Sequence, residues 1–209
     1  MTDPRHPRAP SPVRVDAIVV GASAGGVDAL SLLLPALPRD FQPALLIVLH
    51  LPRDRPSLLV EVFSARCDLP VHEACDKEPI QPGCVYFAPP DYHLLVDAGV
   101  GGHHGPCLAL SQDAPVHFSR PAIDVLFESA AAVYGERLGG VILSGANADG
   151  ASGLGAVRSR GGVTLVQTPA TALVATMPAA ALARGPVDFM LPLEQMPAVL
   201  RAWGGAGAV

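Results

Sequence analysis

The stretch that most restricts the fold is the apolar run Ala17-Ile18-Val19-Val20, which stops in Gly21-Ala22-Ser23-Ala24-Gly25-Gly26. An apolar run ending in glycines reads as a buried strand, a tight turn and then a helix. The pattern recurs twice. Ala44-Leu45-Leu46-Ile47-Val48-Leu49 is an uninterrupted apolar strand ending in His50, and Gly140-Val141-Ile142-Leu143 leads into Ser144-Gly145-Ala146-Asn147-Ala148-Asp149-Gly150. Helical spacing follows each strand, over 27–34, from 58–63 with Ser57 as its N-cap, and over 151–160, closed by Gly161-Gly162. Strands apolar throughout and alternating with helices belong to a parallel sheet covered on both faces. The expected fold is α/β, a Rossmann-like three-layer sandwich with a mostly parallel sheet.

Between the second and third runs the pattern changes. Val71-His72-Glu73-Ala74 reads as a short strand, with His72 a surface position. Val85-Tyr86-Phe87-Ala88 and the segment 92–96, on either side of Pro89-Pro90-Asp91, read as a β-hairpin excursion, to which 107–110 can return as a further strand. Ser119-Arg120-Pro121 opens an amphipathic helix to about Tyr134, with the Ser119 hydroxyl as cap and Ile123, Leu126 and Phe127 on one face. A strand over 163–166, an Ala-rich helix entered at Thr176-Met177-Pro178, an edge strand over 189–191 and a helix over 193–203 complete the pattern. Residues 1–13, with four prolines and no apolar periodicity, are expected to be a disordered tail, 14–203 one domain, and 204–209 a second disordered tail.

Composition removes several functions. Half of the 209 residues are hydrophobic, enough to bury one full core. Charged residues make up 16% with a formal net charge of −5, and the basic ones are scattered, so no nucleic-acid partner is expected. No apolar run approaches the roughly 20 residues that span a bilayer, and 1–12 does not read as a signal peptide, so a cytoplasmic protein that is not membrane-embedded is expected. Cys67, Cys75, Cys84 and Cys107 form no C-x-x-C pair, and no spaced acid or thiol joins His103 and His104. No metal and no cofactor are expected, and the chain is expected to act as a monomer.

Polar chemistry then collects at the carboxyl ends of three buried strands, where open α/β sheets bind ligands. Gly21, Ser23 and Gly25 fit G-x-S-x-G, which lifts a serine hydroxyl out of a sharp turn. The same glycines also suit a phosphate at a helix N-terminus, as in a non-catalytic binding or scaffold module, although a dinucleotide fingerprint would want glycine at Ser23. His50 ends the second strand. Asp149 can cap the helix that follows it or orient a histidine. Arg120 can bind an anionic substrate group or pair with Asp124. Serine, histidine and aspartate in this order are admissible for a triad, but the order differs from that of α/β-hydrolases.

Several spaced motifs now carry a resemblance: Gly-Ala-Ser-Ala-Gly-Gly at 21–26, His50-Leu51-Pro52, Ala88-Pro89-Pro90-Asp91-Tyr92-His93, Arg120-Pro121 with Asp124-Val125-Leu126-Phe127, Ser144-Gly145 leading into Asp149-Gly150, and Gln167 and Met177-Pro178. Together they resemble the catalytic domain of the chemotaxis protein-glutamate methylesterases, the CheB family, from about Val15 to Trp203. The resemblance implies Ser23 as nucleophile, His50 as base and Asp149 as orienter. It also implies backbone oxyanion donors at Ala24 and Ala146, and methylated glutamates on chemotaxis receptors as substrate, with glutamine deamidation by the same chemistry. An esterase acting on another substrate outside chemotaxis stays open as an alternative. The sequence departs from the family pattern at Ala146 and Asn147, where Thr-Gly-Met-Gly-x-Asp-Gly is usual, at Leu49 for glutamine and at Ala24 for threonine. The family's receiver domain has no counterpart in 1–13, so regulation by phosphorylation within this chain is not expected.

Overall fold

The computed structural model describes residues 14–51, 57–99 and 105–205. His103, His104 and the expected N-terminal tail lie outside the described residues. Seven strands form one all-parallel sheet: β1 (Ala17–Ala22), β2 (Ala44–Leu49), β3 (Val71–Glu73), β4 (Val85–Phe87), β7 (Leu138–Ile142), β8 (Val163–Gln167) and β9 (Phe189–Leu191). Their spatial order is β3-β4-β2-β1-β7-β8-β9. From the β1–β7 pair the strands lead away in opposite directions, β2, β4 and β3 on one side and β8 and β9 on the other. That pair is the topological switch point, where a crevice opens beyond the strand ends.

Period-two alternation explains the two layers. Ile18, Val20 and Ala22 of β1, with Leu45, Ile47 and Leu49 of β2, face a core shared with α1 (Gly26–Leu33), α2 (Leu59–Ser64) and α6 (Met196–Trp203). Ala17 and Val19, with Leu46 and Val48, face the opposite core, made with α3 (Ile123–Tyr134), α4 (Ala151–Ser159) and α5 (Thr176–Arg184). β1, β2 and β7 are buried along their whole length, which is why they read as unbroken apolar runs. Continued by one residue past Ala22 and Leu49, the alternation turns Ser23 and His50 toward the α3 side.

Three expectations need correction. The hairpin is not 85–88 with 92–96. Val85–Phe87 pairs parallel with β2 and β3 inside the main sheet, while β5 (His93–Asp97) pairs antiparallel with β6 (Cys107–Ser111) in a separate ribbon over α3. Asp91 takes φ 61° in the connecting turn, which leads the chain out of the sheet instead of folding it back on β4. Ser119 does not cap α3, because that helix begins only at Ile123, after the cis Arg120–Pro121 peptide, and the Ser119 hydroxyl donates to His117 O at 3.4 Å. At the other end, the Gly204 and Gly205 amides donate to Leu200 O and Ala202 O, so these two residues continue from α6, and 206–209 lie outside the described residues.

Candidate active site

Ser23, His50 and the 144–150 loop meet at the switch point because their strands are neighbours. The His50 amide donates to Ala22 O at 3.0 Å and the Ser23 amide to Ser144 O at 2.9 Å, so the Ser23 turn is tied to both flanking strand ends. Gly25 is the N-cap of α1 at φ 81°, and a Cβ there would stand 2.8 Å from both Leu173 Cβ and Ser144 Oγ. Only glycine fits such a turn. The Ser23 side chain is half-buried, and its Oγ makes no hydrogen bond to His50 among the described residues. Such contacts are commonly loose before substrate arrives.

His50 and Asp149 are brought into direct contact. Nε2 lies 2.9 Å from Asp149 Oδ2, with the imidazole 13% exposed and the carboxylate fully buried. An ionised carboxylate only accepts, so in the neutral imidazole the proton sits on Nε2 and Nδ1 keeps its lone pair.

Asp149 does not cap its own helix. The N-cap of α4 is Gly150 at φ 92°, with no side-chain cap, and the Asp149 carboxylate instead holds the start of α3. Oδ2 accepts the Ile123 amide at 2.7 Å and Oδ1 the Asp124 amide at 3.0 Å. The amide before them, Ala122, donates to Nδ1 of the buried His93 at 3.1 Å, while His93 Nε2 donates to Ala114 O at 3.2 Å. The orphan amides of a helix N-terminus and its positive dipole end thus fix a buried anion. Close packing makes this possible: a Cβ at Gly21 would stand 2.4 Å from Ile123 Cγ2, and one at Gly150 2.6 Å from the same atom. Burial alone would raise the Asp149 carboxyl. The hydrogen bonds from His50, Asp124 and Ile123, with the attraction of the imidazole, outweigh it and hold the group below the usual carboxylate range.

The remaining expected residues are placed as follows. Ala24 and Ala146 are exposed at the two loops that flank Ser23, and their amides enter no hydrogen bond among the described residues. Arg120 neither pairs with Asp124 nor stands free. Its Nε and Nη2 donate to Asp91 Oδ1 at 3.0 and 2.7 Å, and Nη1 to the carbonyls of Gln112 and Asp113. The segments before β5 and after β6 thus close around the guanidinium.

A family profile described as CheB methylesterase matches residues 18–200. The chain belongs to the CheB methylesterase family. It is 42% identical over 181 residues to a putative protein-glutamate methylesterase/protein-glutamine glutaminase of Leptospira interrogans, covering 87% of this chain and 91% of that one. Against protein-glutamate methylesterase/protein-glutamine glutaminase 2 of Caulobacter vibrioides it is 38% identical over 182 residues, 87% of this chain and 52% of the relative. Among solved structures, the CheB methylesterase catalytic domain of Thermotoga maritima superposes with a TM-score of 0.84 at 32% identity, over 90% of this chain and 98% of that one. The three-layer α/β fold with its small antiparallel ribbon is thus the CheB fold.

Within this CheB domain, two polar residues that sequence reasoning had given no role hold the loops around Ser23. The buried Ser144 hydroxyl donates to Ala24 O at 2.7 Å and accepts the Val174 amide at 2.9 Å, and the Ser144 amide donates to Gln167 Oε1 at 2.9 Å. Gln167 ends a strand buried along its length, the same signal that marked His50. Asn147, one of the departures from the CheB pattern, accepts the Asp149 amide through Oδ1 at 3.2 Å and so steadies the loop that a glycine would leave freer. Two cavities, of about 550 Å³ at Arg39, Ser64, Asp68 and Pro82 and about 400 Å³ at Leu154, Arg158 and Arg184, lie away from Ser23, His50 and Asp149.

Proposed function

We propose that this chain hydrolyses γ-glutamyl methyl esters on chemotaxis receptors through a Ser23–His50–Asp149 triad. The observation that carries the proposal is the His50–Asp149 contact, because in the neutral imidazole it puts the proton on Nε2 and leaves the Nδ1 lone pair to act as base. Ser23 Oγ attacks the ester carbonyl as its proton passes to Nδ1, and Asp149 stabilises the imidazolium that forms. The developing oxyanion is received by the amides of Ala24 and Ala146, each such donor worth on the order of a hundredfold in rate. Collapse of the tetrahedral intermediate expels methanol, protonated by the imidazolium, and leaves a glutamyl ester on Ser23. Water, deprotonated by His50, then cleaves that ester and restores the hydroxyl. With a glutamine side chain the leaving group is ammonia and the remaining steps are the same. That agrees with the double name carried by the Leptospira and Caulobacter relatives.

Membership of the CheB family and the match to the Thermotoga catalytic domain support the substrate class. No helix among the described residues is long and apolar enough to cross a membrane, which suits an enzyme that approaches the receptor from solution. A phosphate-binding module would account for the glycine turn, and the α3 cap for the Asp149 carboxylate, but neither calls for His50 on that carboxylate. Methanol release from membranes bearing methylated receptors tests the proposal. Release by the wild type and none by Ser23→Ala is expected, and release by both would overturn it.

A further inference from the structure

A second acid, which none of these steps uses, is buried beside Asp149. Asp124 stands in the first turn of α3 and is 4% exposed. Its Oδ1 accepts the Gly153 amide at 2.7 Å, and its Oδ2 lies 3.3 Å from His117 Nε2. Gly153 belongs to the first turn of α4, the helix that Asp149 precedes, and that helix takes no side-chain cap from its own N-cap residue. Asp149 in turn accepts the Ile123 and Asp124 amides of α3. Each acid therefore caps the helix to which the other is attached. The exchange requires the two helix starts to touch: a Cβ at Gly153 would stand 2.5 Å from Phe127 Cβ and 3.1 Å from Asp124 Cα.

The arrangement has two consequences for the imidazole. The Gly153 bond anchors the segment that carries Asp149, so the carboxylate presented to His50 is fixed from its own helix as well as from α3. The Asp124 carboxylate also adds negative charge behind Asp149. We propose that Asp124 is a positioning residue of the esterase site, holding Asp149 against His50 and favouring the imidazolium by its charge. This rests on the triad mechanism proposed above. The groups facing Asp124 are Asp149 from the loop before α4 and His117 from the loop before α3. From β5 His93 holds the preceding amide, from β1 Gly21 brings no side chain, and β7 contributes the apolar Ile142. Arg120 is engaged by Asp91. Burial pushes the Asp124 carboxyl up, the Gly153 amide pulls it back, and the Asp149 charge pushes it up again.

Two variants separate the contributions. In Asp124→Asn the amide oxygen still accepts from Gly153 while the charge and its ion pair with His117 are lost, whereas Asp124→Ala loses the Gly153 bond as well. The acid limb of kcat/KM reports protonation of the free enzyme's base. With a soluble aryl acetate as substrate, Asp124→Asn should keep its plateau kcat within about threefold while the acid limb moves to lower pH. A shift of about half a unit is expected, the size of a unit-charge interaction weakened by a high effective dielectric constant. Asp124→Ala should show the same shift and lose about tenfold in kcat at unchanged KM, the lower end of what removing an outer-shell partner of a metal-bound histidine costs. Thermal melts run alongside. If both variants melt lower yet keep the wild-type kcat and acid limb, Asp124 only supports the fold and the proposal is overturned. Should Asp124→Ala fail to fold, the acid limb of Asp124→Asn decides alone. Wild-type turnover by Ser23→Ala would instead remove the triad mechanism, a separate failure.

Discussion

At the scale of single residues, Asp149 carries two loads that one substitution can pull apart. Its two oxygens receive three donors, His50 Nε2 and the amides of Ile123 and Asp124. Asparagine offers one acceptor oxygen, so in Asp149→Asn at least one buried donor meets an N–H. That should cost about 1–3 kcal/mol, read as a lower melting temperature. Turnover should fall far more, by about 10⁴ in kcat, because the amide favours the wrong imidazole tautomer. Ser23→Ala should be inactive with an unchanged melt, and equal melts for the two variants would refute the capping role. The depressed Asp149 carboxyl also has a pH signature. A carboxyl lowered on folding contributes stability that is present above its unfolded value, about 4, and is lost as pH falls through the folded value. Wild-type melting should therefore drop more steeply below about pH 4 than that of Asp149→Asn, measured by circular dichroism. A parallel drop would mean that Asp149 is not held low. That Ser23, His50 and Asp149 would be brought to one end of the sheet was legible in the sequence because each follows a buried strand. The helix that Asp149 caps was not, since Ile123 and Asp124 lie far back along the chain and only the sheet order returns them to it.

At the scale of elements, the start of α3 is the part whose position the site depends on. Gly21 lets Ile123 sit against β1, and a Cβ there would have to displace the helix start or the Ile123 side chain. Gly21→Ala should therefore reduce kcat at least tenfold, on the view that a misplacement of about 1 Å costs up to a hundredfold. An isotope-labelled spectrum should show the changes concentrated at 122–124 and His50. A variant with normal turnover would show that α3 can shift without disturbing Asp149. The same scale explains which elements the sequence misassigned. Both 85–88 and 92–96 are apolar and flank a proline turn, so local pattern allows a hairpin. What decides is the partner of Val85–Phe87, and β2 offers it a parallel edge that no local signal announces. The Arg120–Asp124 pairing failed for the same reason, because the partners of Arg120 arrive on the turn before β5 and the segment after β6.

For the whole molecule, the two cores divide the work. One face of the sheet packs α1, α2 and α6, and the other packs the helices whose starts build the site. Phe63→Ala, in the first core, should lower stability by about 3–5 kcal/mol while leaving kcat within twofold wherever the protein is folded, as urea midpoints and turnover would register. A matching collapse of kcat would mean that the sheet transmits strain between its faces. The asymmetry between Ser23 and Asp149 also bears on how such an enzyme would decay. Losing the Ser23 hydroxyl removes no bond that the fold uses, whereas losing Asp149 strands the amides that begin α3. A lineage released from selection for catalysis would shed the serine early and keep the aspartate for its own survival. In an inherited relic of this enzyme, an intact aspartate would then testify to folding, and only the serine to chemistry.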